Sequence, residues 1–228
     1  MGVLTVMEQT LRIATALIAI GTVLPAAGAE GATANCKARA LEKVVARSKA
    51  AVVLRGHEPR GHVYLGCLRS TGRRRVLFRE FTELEHRVTA HRLTLAGRFA
   101  AVELDSDVKN DVTKYAAAFD IRSGRSGDVL AGTDYRGTGA QDSYAIERLV
   151  VSRRGAVAWR ATHVWREPEL GTTSQEVVLA DSHGRRVLDS AAPDALGGPA
   201  FVSASKVAWS RDGADDRAAR AYAGLPRD

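Results

Sequence analysis

Three polar segments carry the side chains with the most usable chemistry: His57, Arg60 and His62 in the first, Asp105, Asp107 and Asp111 in the second, and His163, Trp165 and Arg166 in the third. Imidazoles move protons or ligate metals, grouped carboxylates take Ca²⁺ or act as acid and base, and an aromatic beside an arginine suits a sugar or a protein surface. Spacing removes most of these chemistries. Asp105-Ser-Asp107-Val-Lys-Asn110-Asp111 opens like a calcium loop, but Asn110 stands where an EF-hand needs glycine and Ala116 where it needs a bidentate glutamate. His57 and His62, like His86 and His91, are five apart, a spacing that predicts opposite faces of a strand and fits no zinc motif. Ser203-Ala-Ser-Lys206 matches S-x-x-K but reads as strand, where its two functional groups point opposite ways. Asp181-Ser182-His183 reads as a turn whose adjacent side chains cannot form a triad by themselves, and G-x-S-x-G, Walker A and dinucleotide-binding glycine patterns are missing from the sequence. Recognition chemistry is what remains. The nine residues named first are the expected ligand contacts, with no catalytic residue, metal or cofactor.

The elements that must position them belong to a chain of 228 residues, 45% hydrophobic and 26% charged, which is enough for a sizeable core. Its formal charge of +7 comes from 33 basic and 26 acidic side chains, and arginine greatly outnumbers lysine among the former. The arginines are scattered, the longest run being Arg73-Arg74-Arg75, and no aromatic-and-basic stretch accompanies them, so no specific nucleic-acid partner is expected.

Arg12 precedes the apolar run Ile13 to Val23, which Pro25 ends before a small-residue stretch. That order predicts a secretory signal peptide over 1–34, cleaved after Ala29 (Ala27-Gly28-Ala29) or Ala34 (Ala32-Thr33-Ala34). The run is shorter than the roughly 20 residues a membrane-spanning helix needs, so a permanent anchor is not expected. Cys36 and Cys67 allow one pairing in an exported chain. A bridge closing that loop would contribute roughly 3–4 kcal/mol by restricting the unfolded chain.

A repeated unit runs through 35–228: two β-rich segments separated by a polar loop, then a tight glycine turn and a third segment. The copies begin at Ala50, Phe99 and Ala156, turn at Gly72, Gly124 and Gly184, and a fourth starts at Lys206. Leu41 to Val45, Leu93 to Leu95, Leu149 to Val151 and Phe201-Val202 precede the copies and supply a fourth strand to each. Trp159 and Trp209 occupy equivalent positions after Val-Ala, as core residues would. The loops Arg55 to His62, Asp105 to Lys114 and Arg160 to Ser174, which hold the candidate residues, are expected on one common face.

Ser152-Arg-Arg-Gly-Ala-Val-Ala-Trp159, followed by Glu176-Val-Val-Leu-Ala-Asp-Ser-His-Gly-Arg-Arg-Val-Leu188, resembles the TolB-type β-propeller repeat. In that family a Ser-x-x-Gly turn leads into a Val/Ile-Ala-aromatic strand, and an Asp-x-x-Gly turn leads into a basic stretch. This chain carries Arg153-Arg154 where the family has Pro-Asp, and about three and a half units, so a ring would be small, open or completed by another chain. The resemblance implies an all-β fold: a small or partial β-propeller of roughly four blades, with a β-sandwich as the alternative. The expected function is an exported, non-enzymatic binding module for a protein or cell-surface ligand, with a homodimer among the expected partners. The alternative is an extracytoplasmic hydrolase acting on cell-surface polymer through loop carboxylates about 5–10 Å apart.

Overall fold

The computed structural model describes residues 36–109, 111–135, 143–165 and 172–227. The expected signal peptide with both cleavage positions, and Arg166, lie outside them. Among the described residues the secondary structure is strand and turn, with no helix.

Strands β1 (Glu42–Arg47), β2 (Ala51–Glu58), β3 (Gly61–Leu68) and β4 (Arg74–Thr82) form an antiparallel meander. A second comprises β5 (His86–Ala96), β6 (Phe99–Val108), β7 (Asp111–Asp120) and β8 (Arg125–Tyr135). The pairs Phe81↔Val88 and Thr82↔Arg87 join these two into an 8-stranded sheet. The third meander, β9 (Ser143–Val151), β10 (Val157–Trp165), β11 (Thr172–Asp181) and β12 (Gly184–Ala191), is a 4-stranded sheet. The last, β13 (Ala200–Ser203), β14 (Lys206–Arg211) and β15 (Ala214–Arg220), has three strands. The segments expected to supply a fourth strand to each unit fall within or overlap β1, β5, β9 and β13.

Burial explains the sequence of these strands. The starts of β6 and β10 and the ends of β7 and β11 are apolar at consecutive positions because both of their faces are covered, whereas a half-buried strand would alternate. One core joins the second and third meanders through Ala101, Ala116, Ala118, Tyr144, Ile146 and Trp159. Another joins the third to the last through Ala158, Val177, Leu179, Val207 and Trp209. Ala51, Val53, Tyr64 and Ile121 pack the first meander to the second. Both tryptophans are core residues, as their repeat positions predict. The Ala-rich segments of β6 and β7 let neighbouring sheets approach closely. At Gly132 that closeness is absolute: a Cβ there would sit 2.3 Å from Cγ of Tyr144.

The disulfide forms as expected. Cys36 is bonded to Cys67 with Cα atoms 5.7 Å apart, tying the start of the described chain to β3. Glu42 and Arg74 reinforce this corner with a 2.7 Å ion pair.

The expected loops differ from what forms. β2 extends to Glu58 and β3 starts at Gly61, leaving only Pro59-Arg60 between them; β6 reaches Val108 before β7 resumes at Asp111; β10 continues to Trp165. The candidate residues therefore sit mostly on strand ends. Antiparallel ladders are held by backbone hydrogen bonds and cross-strand pairs, and polar pairs such as Asp105↔Lys114 extend a hairpin beyond its apolar core. A reading that marks strands by apolar runs ends them too early.

Candidate functional site

Because the meanders are antiparallel, their connections divide between two ends. The β2–β3, β6–β7 and β10–β11 hairpins lie at one end, here the tip end. The β1–β2, β3–β4, β5–β6, β7–β8, β9–β10 and β11–β12 connections lie at the other, the turn end.

The tip end carries the residues chosen from sequence, in local groups. In the first meander, His57 and His62 face each other across the hairpin, ring centroids 5.8 Å apart. Their five-residue spacing spans a turn, which corrects the expectation of opposite faces on one strand. His62 Nδ1 lies 3.0 Å from Glu80, and Arg60 in the turn pairs with Glu83 at 3.2 Å. In the second meander Asp105 is held by Lys114 at 2.9 Å and by His91 at 3.0 Å. His91 and Arg92 are aimed at Asp105 and Glu103 by a register shift between Ala90 and Leu93, and Arg92 meets the buried Glu103 at 2.6 Å. Asp107 faces Val112 across the hairpin, and Asp111 opens β7 opposite Val108. In the third, His163 lies between the rings of Tyr144 and Trp165, at 6.0 and 5.9 Å, and Trp165 is 45% exposed.

Lys114 links the second group to the third. It pairs also with Asp134 at 3.4 Å, and Asp134 accepts the Tyr144 backbone N–H at 2.6 Å. Burial alone would push the Lys114 ammonium down, but its hydrogen bond to Asp105 and the charges of Asp105, Asp134 and Glu103 hold its pKa above the ordinary lysine value. Glu103 and Asp105 are two residues apart on β6, about 7 Å by strand rise, which is within the separation a glycosidase uses. Each is salt-bridged, Glu103 to Arg92 and Asp105 to Lys114. Among the described residues, no group of three or more His, Cys, Asp or Glu is placed to hold a metal ion.

The turn end is different in shape and charge. A cleft of about 810 Å³ opens there between the second and third meanders, and the C-terminal segment borders it. Arg98, Arg125, Arg153, Arg154 and Arg227 line it with Ser123, Ser126 and Ser182. Its carboxylate, Asp120, is paired with Arg98 at 3.0 Å and caps its own turn through the Arg122 N–H. The serines add neutral hydroxyls to guanidinium forks, a donor set suited to oxyanions.

Three features fix this cleft. The Ser48 hydroxyl donates to the Gly97 carbonyl at 2.7 Å, tying the β1–β2 turn to the β5–β6 turn. Ser152 caps the next turn, its hydroxyl accepting the N–H groups of Arg154 and Ala156. The C-terminal segment then crosses back over the third meander. Tyr222 N–H donates to the fully buried Asp181 at 2.9 Å, its ring stacks on His183 at 3.8 Å, and Gly224 N–H donates to the Arg154 carbonyl at 2.9 Å. Leu225 joins the core between the second and third meanders, and Pro226 is buried so close to Gly127 that a Cβ there would meet its carbonyl at 2.2 Å.

Sequence reasoning missed this cleft because its arginines lie far apart along the chain. One local signal pointed to it: the adjacent pair Arg153-Arg154, exposed in the β9–β10 turn.

No protein-family model matches the chain, and no curated protein matches it. A solved structure from a study of two prolyl endopeptidases is similar over 82% of this chain and 30% of that one, at 11% identity and a TM-score of 0.34. That likeness is too slight to assign a fold or an activity, and this chain spans less than a third of that protein. The class defined by the structure is an all-β protein of antiparallel sheets with one disulfide, a bond that fits an oxidising compartment.

Proposed function

We propose that the protein is an exported, non-enzymatic binding module whose ligand is anionic and occupies the arginine-lined cleft. Its framework, in this reading, is a partial propeller of four TolB-like blades spanning 35–228, released by cleavage of the 1–34 signal peptide. The observation that carries the proposal is the composition of the cleft: five arginines, three serines and one carboxylate that Arg98 already pairs. Such a concentration of guanidinium groups is electrostatically costly until an anion joins it.

The salt bridges on Glu103 and Asp105 support binding over carboxylate-driven hydrolysis. At the tip end, His57, Arg60, His62, Asp105, Asp107, Asp111, His163 and Trp165 remain candidates for a second contact surface. His62, Arg60 and Asp105 there are engaged with neighbouring side chains.

Calorimetric titration of chain 35–228 with inorganic sulfate tests the proposal, beside the variant Arg153→Ala/Arg154→Ala. Both side chains are exposed, so the variant should fold. The expected result is sulfate binding that weakens about tenfold in the variant, as the loss of two exposed charge contacts implies. Equal binding by the variant, or none by the parent, would overturn it.

A further inference from the structure

We infer that the ligand is an extended acidic polysaccharide lying along a band of cations that crosses the turn ends of all four meanders; this rests on the anion-binding reading of the cleft.

The cleft does not stand alone. A groove of about 780 Å³ shares Ala50 and Arg98 with it and adds Lys49, Arg69, Arg73 and Arg122 from the first two meanders. On the other side a groove of about 580 Å³ shares Arg154 and adds Lys206 and Arg220 from the last meander and its exit. The three depressions thus adjoin through shared residues. With sheets stacked about 10 Å apart, four meanders give a track on the order of 30 Å. Among the described residues, Arg98–Asp120 is the ion pair these cations make. Several arginines outside the band do carry ion pairs, as in Arg79–Glu58, Arg160–Glu147 and Arg211–Asp189. Positive charge at the turn end is therefore left for an external partner.

The layout decides between ligand classes. A compact anion would use the cleft and leave the cations of both flanking grooves without a role. An extended polyanion meets them in series, and its contacts add through effective concentration. Guanidinium forks match the planar carboxylates and the sulfates of acidic sugars. Single-stranded nucleic acid also needs exposed aromatic platforms. Phe99, the cleft's aromatic ring, is only 7% exposed and already under the Arg98 guanidinium, and Tyr222 is stacked on His183. The disulfide, too, fits the oxidising space where acidic polysaccharides are met.

The test is titration of chain 35–228 at fixed salt with a sulfated disaccharide, long dextran sulfate, polygalacturonate and single-stranded DNA of matched charge. Two variants accompany it: Arg69→Ala/Arg73→Ala in a flanking groove, and Arg79→Ala/Arg87→Ala, the same charge change outside the band. Expected are tighter binding of long polysaccharides than of the disaccharide and weaker binding of DNA. The Arg69/Arg73 variant should lose about tenfold for the long chains with no change for the disaccharide, and the Arg79/Arg87 variant should match the parent. Disaccharide binding equal to that of the long chains would overturn the extended track while leaving the anion cleft standing. Tighter binding of DNA would overturn the polysaccharide, and equal losses in both variants would reduce the band to net charge. Failure of every anion to bind would sink the cleft proposal with it.

Discussion

Tyr144→Phe removes one oxygen from the core between the second and third meanders. The Trp159 Nε1–H donates to the Tyr144 hydroxyl at 3.0 Å, with Trp159 fully buried and Tyr144 4% exposed. Without that oxygen the indole N–H is left in an apolar space that Gly132, beneath the Tyr144 ring, keeps closely packed. The cost of an orphaned buried donor is about 1–3 kcal/mol. For a chain of this length that corresponds to a melting temperature lower by roughly 4–8 °C near the middle of the range. Burial raises the Tyr144 phenol above its ordinary pKa, more than Trp159 donation lowers it. Folding thus favours the neutral phenol. Its contribution is fully present below the unfolded value of about 10 and is lost as pH rises through the folded value, so the gap between parent and variant should shrink above about pH 10. Urea unfolding followed by far-ultraviolet circular dichroism, at neutral pH and again above pH 10, measures both. A neutral-pH cost under about 0.5 kcal/mol, or a gap that does not shrink in alkali, would refute the reasoning.

Replacing both cysteines, Cys36→Ala/Cys67→Ala, should cost about 3.7 kcal/mol by the loop-entropy relation for a separation of 31 residues, visible as a lower urea midpoint; an unchanged midpoint would mean that the bridge constrains little. Burial pushes the Glu42 carboxyl up, but the Arg39 N–H and the Arg74 guanidinium more than offset it and leave the pKa lowered. Glu42→Gln should therefore destabilise at neutral pH, and the difference in melting temperature from the parent should vanish as pH falls through that lowered value, a trend that melts between about pH 3 and 7 would show. Gly127→Ala should dislodge the C-terminal segment at a cost of about 1–3 kcal/mol and expose 222–227 to carboxypeptidase; trimming no faster than in the parent would show that the contact is dispensable.

The all-β class was legible because apolar segments recur with glycine turns between them, and each of those segments lies in or overlaps a strand. The Cys36–Cys67 bond and the burial of Trp159 and Trp209 were legible for similar reasons, two cysteines having one pairing and repeat-equivalent tryptophans one economical use. The hairpin ends were not, because Asp105, Asp107 and Lys114 are polar yet lie within strands through cross-strand pairing. Register also explains His57 and His62, whose contact depends on a turn at Pro59-Arg60 that their spacing alone does not reveal. The cleft was hidden most deeply. Arg98, Arg125, Arg153 and Arg227 come from different turns and the terminus, and only antiparallel folding brings those turns to one end.

Which end of the molecule holds the ligand is the central question, and amide hydrogen exchange answers it most directly. Chain 35–228 would be compared with and without saturating dextran sulfate. Slowed exchange is expected at the turn end, in 69–73, 121–125, 152–155 and 222–227, with little change in 57–62 and 107–112. Protection confined to 57–62 and 107–112, or no protection at the turn end, would contradict it.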